Sequence, residues 1–334
     1  MNKQSIINNA GEADYTGKLN AIASKLKGWD GTIVIIAHVD PDGDALGSTL
    51  ALKRALEALG KTAQLAMDVP AYLSFLVEED EVAKTIEALP ENTLLAVLDV
   101  NIGERSVGAP LNAAFTVNID HHGSNPRDGD LSCVEPGKAA TALIIKDLID
   151  VLGVSWTPEL ATPCLTGILT DTGNFRYSNT DKEVLNAAAF LIDQGVDYAY
   201  LTDRLQWRSP SYFKMLGEVM STVEFPLGGK VALAYLTQNM EERAGKSEDD
   251  SNDYVGLIRY AENTKIAIFL KEREDATKLS VRTRDGVSAQ NICRELGGGG
   301  HVAAAGAKVA GNVENAKKLV LTAAKNELER LDLL

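Results

Sequence analysis

The sequence predicts an α/β fold: a mostly parallel sheet flanked by helices, followed by a smaller α/β domain. Short apolar runs alternate with amphipathic segments over residues 31–195, an alternation typical of parallel strands joined by crossover helices. The 334 residues suffice for about two domains of roughly 150 residues each. The composition, with 45% hydrophobic and 24% charged residues, is typical of a globular protein that buries a core.

Four apolar runs of the first domain predict buried strands, at residues 32–37, 62–67, 94–99 and 115–120. Residues 44–59 predict a helix because Leu52, Leu56 and Leu59 share one helical face, and Gly60 follows as a stop signal. Further helical patterns cover residues 138–152, 158–171 and 183–194.

The predicted boundaries separate a first domain at 1–195, a helical linker at 196–215 and a second domain at 216–334. The helical pattern that includes the linker runs over residues 196–224. In the second domain we predict strands at 230–236, 264–270 and 278–284, helices at 288–296 and 313–332, and a polar exposed loop at 241–253.

The charge balance argues against a protein that grips long nucleic acid. Lys and Arg number 33 and Asp and Glu 47, so the net charge is −14. This charge would repel a long phosphate backbone on average, so we expect no long duplex DNA as a partner. No apolar run approaches the roughly 20 residues of a membrane span, and the polar N-terminus lacks the apolar core of a signal peptide. We therefore expect a cytoplasmic protein without a membrane partner.

Acidic and histidine residues follow three of the predicted strands. His38, Asp42 and Asp44 follow the first strand, Asp99 ends the third, and Asp120 with His121 and His122 ends the fourth. The carboxyl ends of parallel strands face one crevice, so we expect these side chains to converge. Carboxylates this close repel one another unless a cation lies among them.

The chemistry of these side chains favours hard or borderline divalent ions. Carboxylates and imidazoles without a thiol suit Mn²⁺ or Mg²⁺ better than a structural zinc. A shared carboxylate would permit two ions about 3.5–4 Å apart.

Asp171, in GILTDTGNF, has two interpretations. It could be a further metal ligand, or Asp171-Thr172-Gly173 could be the D-T-G of an aspartic peptidase. Such peptidases work through two aspartates that share a proton, which requires a second D-T-G or a short homodimeric chain. The sequence contains one D-T-G in an α/β pattern, which favours the metal ligand.

The glycine run 297–300 before His301 predicts a loop. Consecutive glycines stabilise neither a helix nor a strand interior, and their N–H groups can surround an anion. A hinge or a helix C-cap explains the glycines alone equally well, but His301 and the nearby Arg282 strengthen the anion-binding interpretation.

The motifs HVDPDGDALGS, VLDV, IDHHGS and GILTDTGNF resemble, in order, motifs I to IV of the DHH phosphoesterases. GGGGHVAAAGA resembles the signature of the C-terminal domain that accompanies many of them. The resemblance implies two domains with the active site in the cleft between them. It also implies two bound ions, Mn²⁺ with Mg²⁺ as the alternative.

The resemblance also implies a role for each matching residue. The metal ligands would be His38 and Asp42 for one ion, Asp44, His121 and Asp171 for the other, and Asp99 as the bridge. Asp120 would orient the histidines. Asp40, where relatives often have Asn, would be a turn residue.

The resemblance further implies the substrate-binding residues. His122 would face the substrate phosphate and help to protonate the leaving oxygen, which makes it catalytic together with Asp99. The substrate would also be bound by Arg282, Gly299, Gly300 and His301.

The expected function is metal-dependent hydrolysis of short oligoribonucleotides, of adenosine 3′,5′-bisphosphate (pAp), or of both, as in similar stand-alone members of the family. A cyclic di-AMP or pApA phosphodiesterase is the close alternative, and a non-catalytic nucleotide sensor is a distant one. A homodimer is compatible with the sequence, in which no interface can be recognised.

Overall fold

The structure is a computed structural model that describes residues 3–83, 88–104, 112–245, 254–300 and 302–334, with side chains from residue 15 onward. The chain forms two compact units, Met1–Trp207 and Arg208–Leu334. Each unit contains its own cluster of buried apolar side chains.

The first unit contains a parallel sheet of six strands in the order β3-β2-β1-β4-β5-β6. Its four predicted strands are present, and two short ones join them at the edges. The strands are β1 (Ile33–Ile36), β2 (Ala63–Ala66), β3 (Val82–Ala83), β4 (Leu94–Leu98), β5 (Phe115–Asp120) and β6 (Leu131–Val134). The predicted fold class, a parallel sheet flanked by helices, is thus confirmed.

The helices of this unit are α1 (Lys3–Lys27), α2 (Gly43–Ala58), α3 (Thr141–Leu152), α4 (Pro158–Asp171), α5 (Lys182–Asp193) and α6 (Tyr198–Gln206). Helix α1 was not predicted, because its first half is polar. Its second half carries the apolar residues Leu19, Ile22 and Leu26, which are buried in the core.

The strand order brings three candidate motifs to one edge of the sheet. β1, β4 and β5 are adjacent and parallel, so their carboxyl ends lie side by side. All residues of β1 and β4 are buried, as expected for central parallel strands covered on both faces. The segments that follow these strands carry His38, Asp99 and His121.

Helices α2 and α4 approach each other closely through glycines. A Cβ on Gly47 would lie 2.2 Å from the Pro163 carbonyl oxygen, and one on Gly43 would lie 2.3 Å from Thr170 Cγ2. A Cβ on Gly167 would lie 2.7 Å from Asp44 Oδ1. The absence of a side chain at these positions therefore allows the contact that brings the ends of α2 and α4 together.

The second unit contains a mixed sheet of five strands in the order β10-β11-β9-β8-β7, in which β7 and β8 are parallel and the other pairs antiparallel. Its elements are α7 (Pro210–Met220), β7 (Val231–Leu236), α8 (Gln238–Ala244), α9 (Tyr254–Ile258), β8 (Ile266–Glu272), β9 (Ala276–Thr283), α10 (Ala289–Arg294), β10 (Gly299–Gly300), β11 (Ala304–Ala310) and α11 (Val313–Arg330).

Two predictions for the linker and second domain need correction. The helical stretch 196–224 is two helices, since α6 ends at Gln206 and α7 begins at Pro210, where proline is favourable as the first helical residue. The start of the predicted loop 241–253 belongs to α8, and residues 246–253 lie outside the described part of the chain.

The glycine run was also expected to be a loop, but Gly299 and Gly300 pair with β11 in an antiparallel ladder. Gly300 has φ +135°, and a Cβ there would lie 2.7 Å from the Ala304 carbonyl oxygen. Pairing with a close neighbouring strand thus requires glycine at this position.

Among the described residues, no helix combines the length and the apolar composition that crossing a membrane would require.

We expect Gly47→Ala to lower the free energy of unfolding by about 1–3 kcal/mol, because the new methyl group would push α2 away from the α4 backbone. Chemical denaturation of the metal-free protein measures this loss. Gly17→Ala is the matched control, since Gly17 lies in α1 and a Cβ there meets no described atom within 4 Å. The control should be neutral or stabilising by up to about 1 kcal/mol. Equal stability of the two variants would contradict the close-contact argument.

We expect the ion pair between Arg54 and Glu81 to make folding stability depend on acid pH. Arg54 donates from two nitrogens to the two Glu81 oxygens, each at 2.7 Å. Burial opposes the charge of Glu81, but these bonds outweigh it and hold the pKa of Glu81 below its ordinary value. The ion pair therefore stabilises the fold fully above the pKa of Glu81 in the unfolded chain, about 4.3. This stabilisation is lost as the pH falls through the lower pKa that Glu81 has in the folded protein.

Glu81→Gln should accordingly lower the free energy of unfolding by about 1 kcal/mol at pH 7. The difference from the unsubstituted protein should shrink as denaturation is repeated down to pH 3. Glu57→Gln removes a more exposed partner of Lys53 and serves as control, with an expected change within about 0.5 kcal/mol. A Glu81→Gln deficit that stays constant with pH would refute the ionic origin of the effect.

Candidate metal centre

The first histidine motif leads from β1 into α2. Asp42 is the N-cap of α2, and its Oδ1 accepts hydrogen bonds from the backbone N–H groups of Asp44 (2.9 Å) and Ala45 (3.1 Å). This local role alone favours an aspartate at position 42. Asp40 is exposed and has φ +55°, in the left-handed region that Asp and Asn tolerate, so it occupies a turn as expected.

The structure brings His38, Asp42 and Asp99 together. His38 Nε2 lies 3.5 Å from Asp99 Oδ2 and 3.9 Å from Asp42 Oδ1. The potential ligand atoms of these residues all lie within 4.8 Å of one another, so one ion could contact all three. We call this set the His38 group.

A second set, the His121 group, consists of Asp44, His121 and Asp171 and meets the same distance limit. His121 Nε2 lies 3.1 Å from Asp171 Oδ2 and 3.9 Å from Asp44 Oδ2. It also lies 3.6 Å from Asp99 Oδ1. Asp99 therefore faces His38 with one oxygen and His121 with the other, an arrangement that would allow its carboxylate to contact an ion held by either group.

The orientation of the two imidazoles fits metal binding. His38 Nδ1 lies 2.8 Å from the Val39 carbonyl oxygen, and His121 Nδ1 lies 3.3 Å from the Lys138 carbonyl oxygen. A carbonyl accepts a hydrogen bond, which assigns a proton to Nδ1 and directs Nε2 at the carboxylates. Nε2 carries a second proton in the metal-free protein and would become the ligand atom when a cation replaces that proton. Metal-binding histidines commonly have this arrangement.

The electrostatics of the cluster also fit a cation. Partial burial and the charges of Asp99 and Asp171 raise the pKa of Asp42 above its ordinary value, although 52% of its side chain is exposed. The same causes raise the pKa of Asp44 well above its ordinary value. Charged carboxylates are therefore costly here without positive charge beside them. Oxygen and imidazole donors without thiolate suit Mn²⁺ or Mg²⁺.

The pKa values of the two histidines are also raised, which for an imidazole favours the charged form. Burial opposes the charge of His38, but the hydrogen bond to Asp99 and neighbouring charges outweigh it and raise its pKa to about 9. For His121, the hydrogen bond to Asp171 and the charges of nearby carboxylates likewise overcome burial and raise the pKa to about 10. Both shifts reflect the excess negative charge of the cluster.

Asp120 holds His122. Asp120 Oδ1 accepts from the His122 backbone N–H at 3.0 Å and lies 2.7 Å from His122 Nδ1. This hydrogen bond raises the pKa of His122. Asp120 was expected to orient both histidines, but its described hydrogen bonds reach His122, while His121 is held by the Lys138 carbonyl. His122 Nδ1 lies 3.7 Å from Asp99 Oδ1, at the border of the cluster.

Two asparagines that sequence reasoning missed support this arrangement. Asn118 Nδ2 donates to the carbonyl oxygens of Val97 (3.0 Å) and Val100 (2.8 Å), on either side of Asp99. Asp99 has φ +59°, a conformation that needs such support. Asn125 Nδ2 donates to Asn118 Oδ1 (2.8 Å) and to Asp120 Oδ2 (2.7 Å). An asparagine in a strand carries no sequence signal for this task.

Thr141 was also missed. Its hydroxyl donates to Asp99 Oδ1 at 2.9 Å, and its backbone N–H donates to Asp44 Oδ2 at 2.6 Å. The apolar pattern placed the helix start at residue 138, whereas α3 begins at Thr141. The sequence therefore gave no reason to connect this threonine with the site.

The second unit contains the remaining candidates. Arg282 lies on β9 opposite Ala304, is partly exposed, and its Nη1 donates to the Val281 carbonyl oxygen. Gly299 and Gly300 are exposed on β10. His301 lies outside the described residues. The substrate-binding roles of these residues remain predictions.

Comparison with known sequences identifies both units. Residues 32–168 match the DHH family N-terminal domain, and residues 228–329 match the DHHA1 domain. The bifunctional oligoribonuclease and PAP phosphatase NrnA of Thermus thermophilus is 53% identical over 96% of this chain and 98% of its own length. The cyclic-di-AMP phosphodiesterase GdpP of Bacillus subtilis is 24% identical over 84% of this chain but only 45% of its own length.

Solved structures share the fold. An exopolyphosphatase-related protein from Bacteroides fragilis has a TM-score of 0.84 at 22% identity, covering 95% of this chain and 98% of its own. RecJ from Thermus thermophilus in complex with Mn²⁺ has a TM-score of 0.54 at 18% identity, covering 92% of this chain and 55% of its own. The domain matches and the 53% identity over nearly the whole chain establish that the protein belongs to the DHH family of phosphoesterases.

Proposed function

We propose that this protein hydrolyses short oligoribonucleotides and pAp to mononucleotides with the help of two divalent ions. The observation that carries the proposal is the 53% identity, over nearly both full lengths, to a relative named for these two activities. The two groups of potential ligands, which lie on either side of Asp99, support the requirement for metal. Within the DHH family we therefore group the chain with the oligoribonucleases.

The metal ions would be Mn²⁺, with Mg²⁺ as the alternative, and each group would hold one. His38 and Asp42 would bind the first ion, Asp44, His121 and Asp171 the second, and Asp99 both. When bound, such ions supply Lewis acidity, which lowers the pKa of water and neutralises charge on a phosphoryl group. The protein contributes to catalysis by holding the carboxylates and imidazoles close together before an ion binds.

His122 would act on the substrate. Its Nδ1 is fixed by Asp120 at 2.7 Å, so the ring orientation is set before substrate binds and Nε2 is directed away from Asp120. A protonated imidazole in this position can donate a hydrogen bond to a phosphoryl oxygen and a proton to the leaving oxygen. We assign this role to His122, with Asp120 and Asn125 as its supports.

The phosphate or ribose of the substrate would be bound by residues of the second unit, namely Arg282, Gly299, Gly300 and His301. A guanidinium offers paired donors for phosphate oxygens. Gly299 and Gly300 are exposed, so their backbone can be approached closely by an anion. Phosphate recognition by a few local donors is compatible with an overall charge of −14.

A substrate panel tests the proposal. The protein is incubated with pAp, pApA, cyclic di-AMP, a short RNA and a long single-stranded DNA, in Mn²⁺ and separately in Mg²⁺. We expect pAp and the short RNA to be hydrolysed in at least one metal and EDTA to abolish turnover. Preferred hydrolysis of cyclic di-AMP or pApA would favour the phosphodiesterase alternative. Metal-dependent binding of pAp without phosphate release would indicate a nucleotide sensor, and activity that survives EDTA would contradict the metal mechanism.

Substrate length should strongly affect the rate. The net charge of −14 repels a long phosphate backbone more than a dinucleotide. We expect RNA dinucleotides to be cleaved at least about tenfold faster than 20-mers at low salt, with the difference decreasing as added salt screens the repulsion. Initial rates over a salt series measure this. Equal rates at low salt would refute the electrostatic argument.

Asp99→Asn should abolish hydrolysis and weaken Mn²⁺ binding at both groups, because the shared carboxylate loses its charge while its size is retained. Titration calorimetry of the metal-free protein measures binding, and phosphate release from pAp measures activity. Asp40→Asn is the matched control, since Asp40 is exposed at a left-handed position that Asn also tolerates. Near-normal turnover by Asp99→Asn, or an equal loss in the control, would contradict the bridging role.

A further inference from the structure

Thr141 contacts carboxylates that belong to both ligand groups. Its side chain is fully buried at the first position of α3. The hydroxyl donates to Asp99 Oδ1 at 2.9 Å, and the backbone N–H of the same residue donates to Asp44 Oδ2 at 2.6 Å. Asp99 belongs to the His38 group and also lies 3.6 Å from His121 Nε2, whereas Asp44 belongs to the His121 group. One residue therefore sets the distance between these carboxylates.

The hydroxyl of Thr141 also determines the rotation of the Asp99 carboxylate. Asp99 directs Oδ2 at His38 and Oδ1 at His121, and a partial rotation about the bond to the carboxylate would turn both oxygens away from these partners. A hydrogen bond to one oxygen removes this freedom. A carboxylate has about four lone-pair positions, so lone pairs remain for ions.

The backbone N–H groups of Thr141 and Ala142 stabilise the charge of Asp44. Asp44 Oδ1 accepts from the Ala142 N–H at 2.9 Å while Oδ2 accepts from Thr141, so the carboxylate closes the first turn of α3. The N-terminus of a helix carries partial positive charge, which favours the ionised form of a buried carboxylate. This contact survives any substitution of the Thr141 side chain other than proline.

Other buried threonines show that this hydroxyl is unusual. Thr49 in α2 and Thr166 in α4 donate to the carbonyl oxygen four residues earlier, the common arrangement within helices. Thr141 stands at the helix start and directs its hydroxyl towards Asp99 instead. Thr49 and Thr166 thus bond within their own helices, whereas the Thr141 hydroxyl bonds to a carboxylate of the candidate metal centre.

We propose that Thr141 is a positioning residue that holds Asp99 and Asp44 in the arrangement needed to bind both ions. The proposal rests on the metal-dependent function proposed above. Hydrogen-bond partners of metal ligands commonly contribute about 10–100-fold to metal affinity. Loss of the hydroxyl should therefore weaken Mn²⁺ binding, while conservative replacement by serine should preserve it.

The test compares Thr141→Val and Thr141→Ser by titration of the metal-free protein with Mn²⁺. We expect Thr141→Val to raise the dissociation constant by about 10–100-fold and Thr141→Ser to stay within about threefold of the unsubstituted protein. Thr49→Val is the matched control: it also replaces a buried hydroxyl by a methyl group, but away from the carboxylates, and it should leave Mn²⁺ affinity unchanged. Melting of each metal-free variant shows whether it is folded.

The possible results separate the two proposals. Unchanged Mn²⁺ affinity in Thr141→Val, or a comparable loss in Thr49→Val or Thr141→Ser, would overturn the role of Thr141 whatever the substrate is. If Thr141→Val does not fold, Thr141→Ala removes the same hydroxyl from a helix position where Ala is favourable, and the same criteria apply to it. Failure to hydrolyse pAp or short RNA, with Mn²⁺ affinity dependent on Thr141, would overturn only the proposed function.

Discussion

Repulsion among buried carboxylates is the constraint on which the site depends. Asp44 and Asp99 are almost fully buried, and Asp42 and Asp171 lie close enough to raise the pKa of Asp44. Such a cluster costs free energy unless protons or cations compensate it. Imidazoles with raised pKa values supply part of the compensation in the metal-free protein. Divalent ions would supply it when bound, so the repulsion itself favours metal uptake.

The rest of the first unit keeps these charges together. Adjacent parallel strands place His38, Asp99 and His121 at neighbouring carboxyl ends, where ligands bind in open α/β sheets. The glycine contact between α2 and α4 adds Asp44 and Asp171 from the helical layer. The large apolar core of this unit stabilises the fold, and this stabilisation offsets the unfavourable repulsion among the carboxylates.

Much of this could be predicted from the sequence because it depends on local patterns. Six-residue apolar runs, the helical spacing of leucines and the residues after three of the strands predicted the sheet and the convergence of the histidines and aspartates at the ends of its strands. The supports of the site were not predictable in the same way. Asn118, Asn125 and Thr141 are common residues whose roles depend on partners 5 to 97 positions away in the chain.

The sequence by itself determined the fold class, the candidate metal ligands and the position of most of them after strands, because each residue's hydrophobicity and charge can be read directly from the sequence. The tertiary structure decided which oxygen of Asp99 faces which group, which carbonyl orients His121, and that the final glycines pair as a strand. These features are contacts between segments that are remote in the chain, and such contacts form only when the strands and helices have packed together.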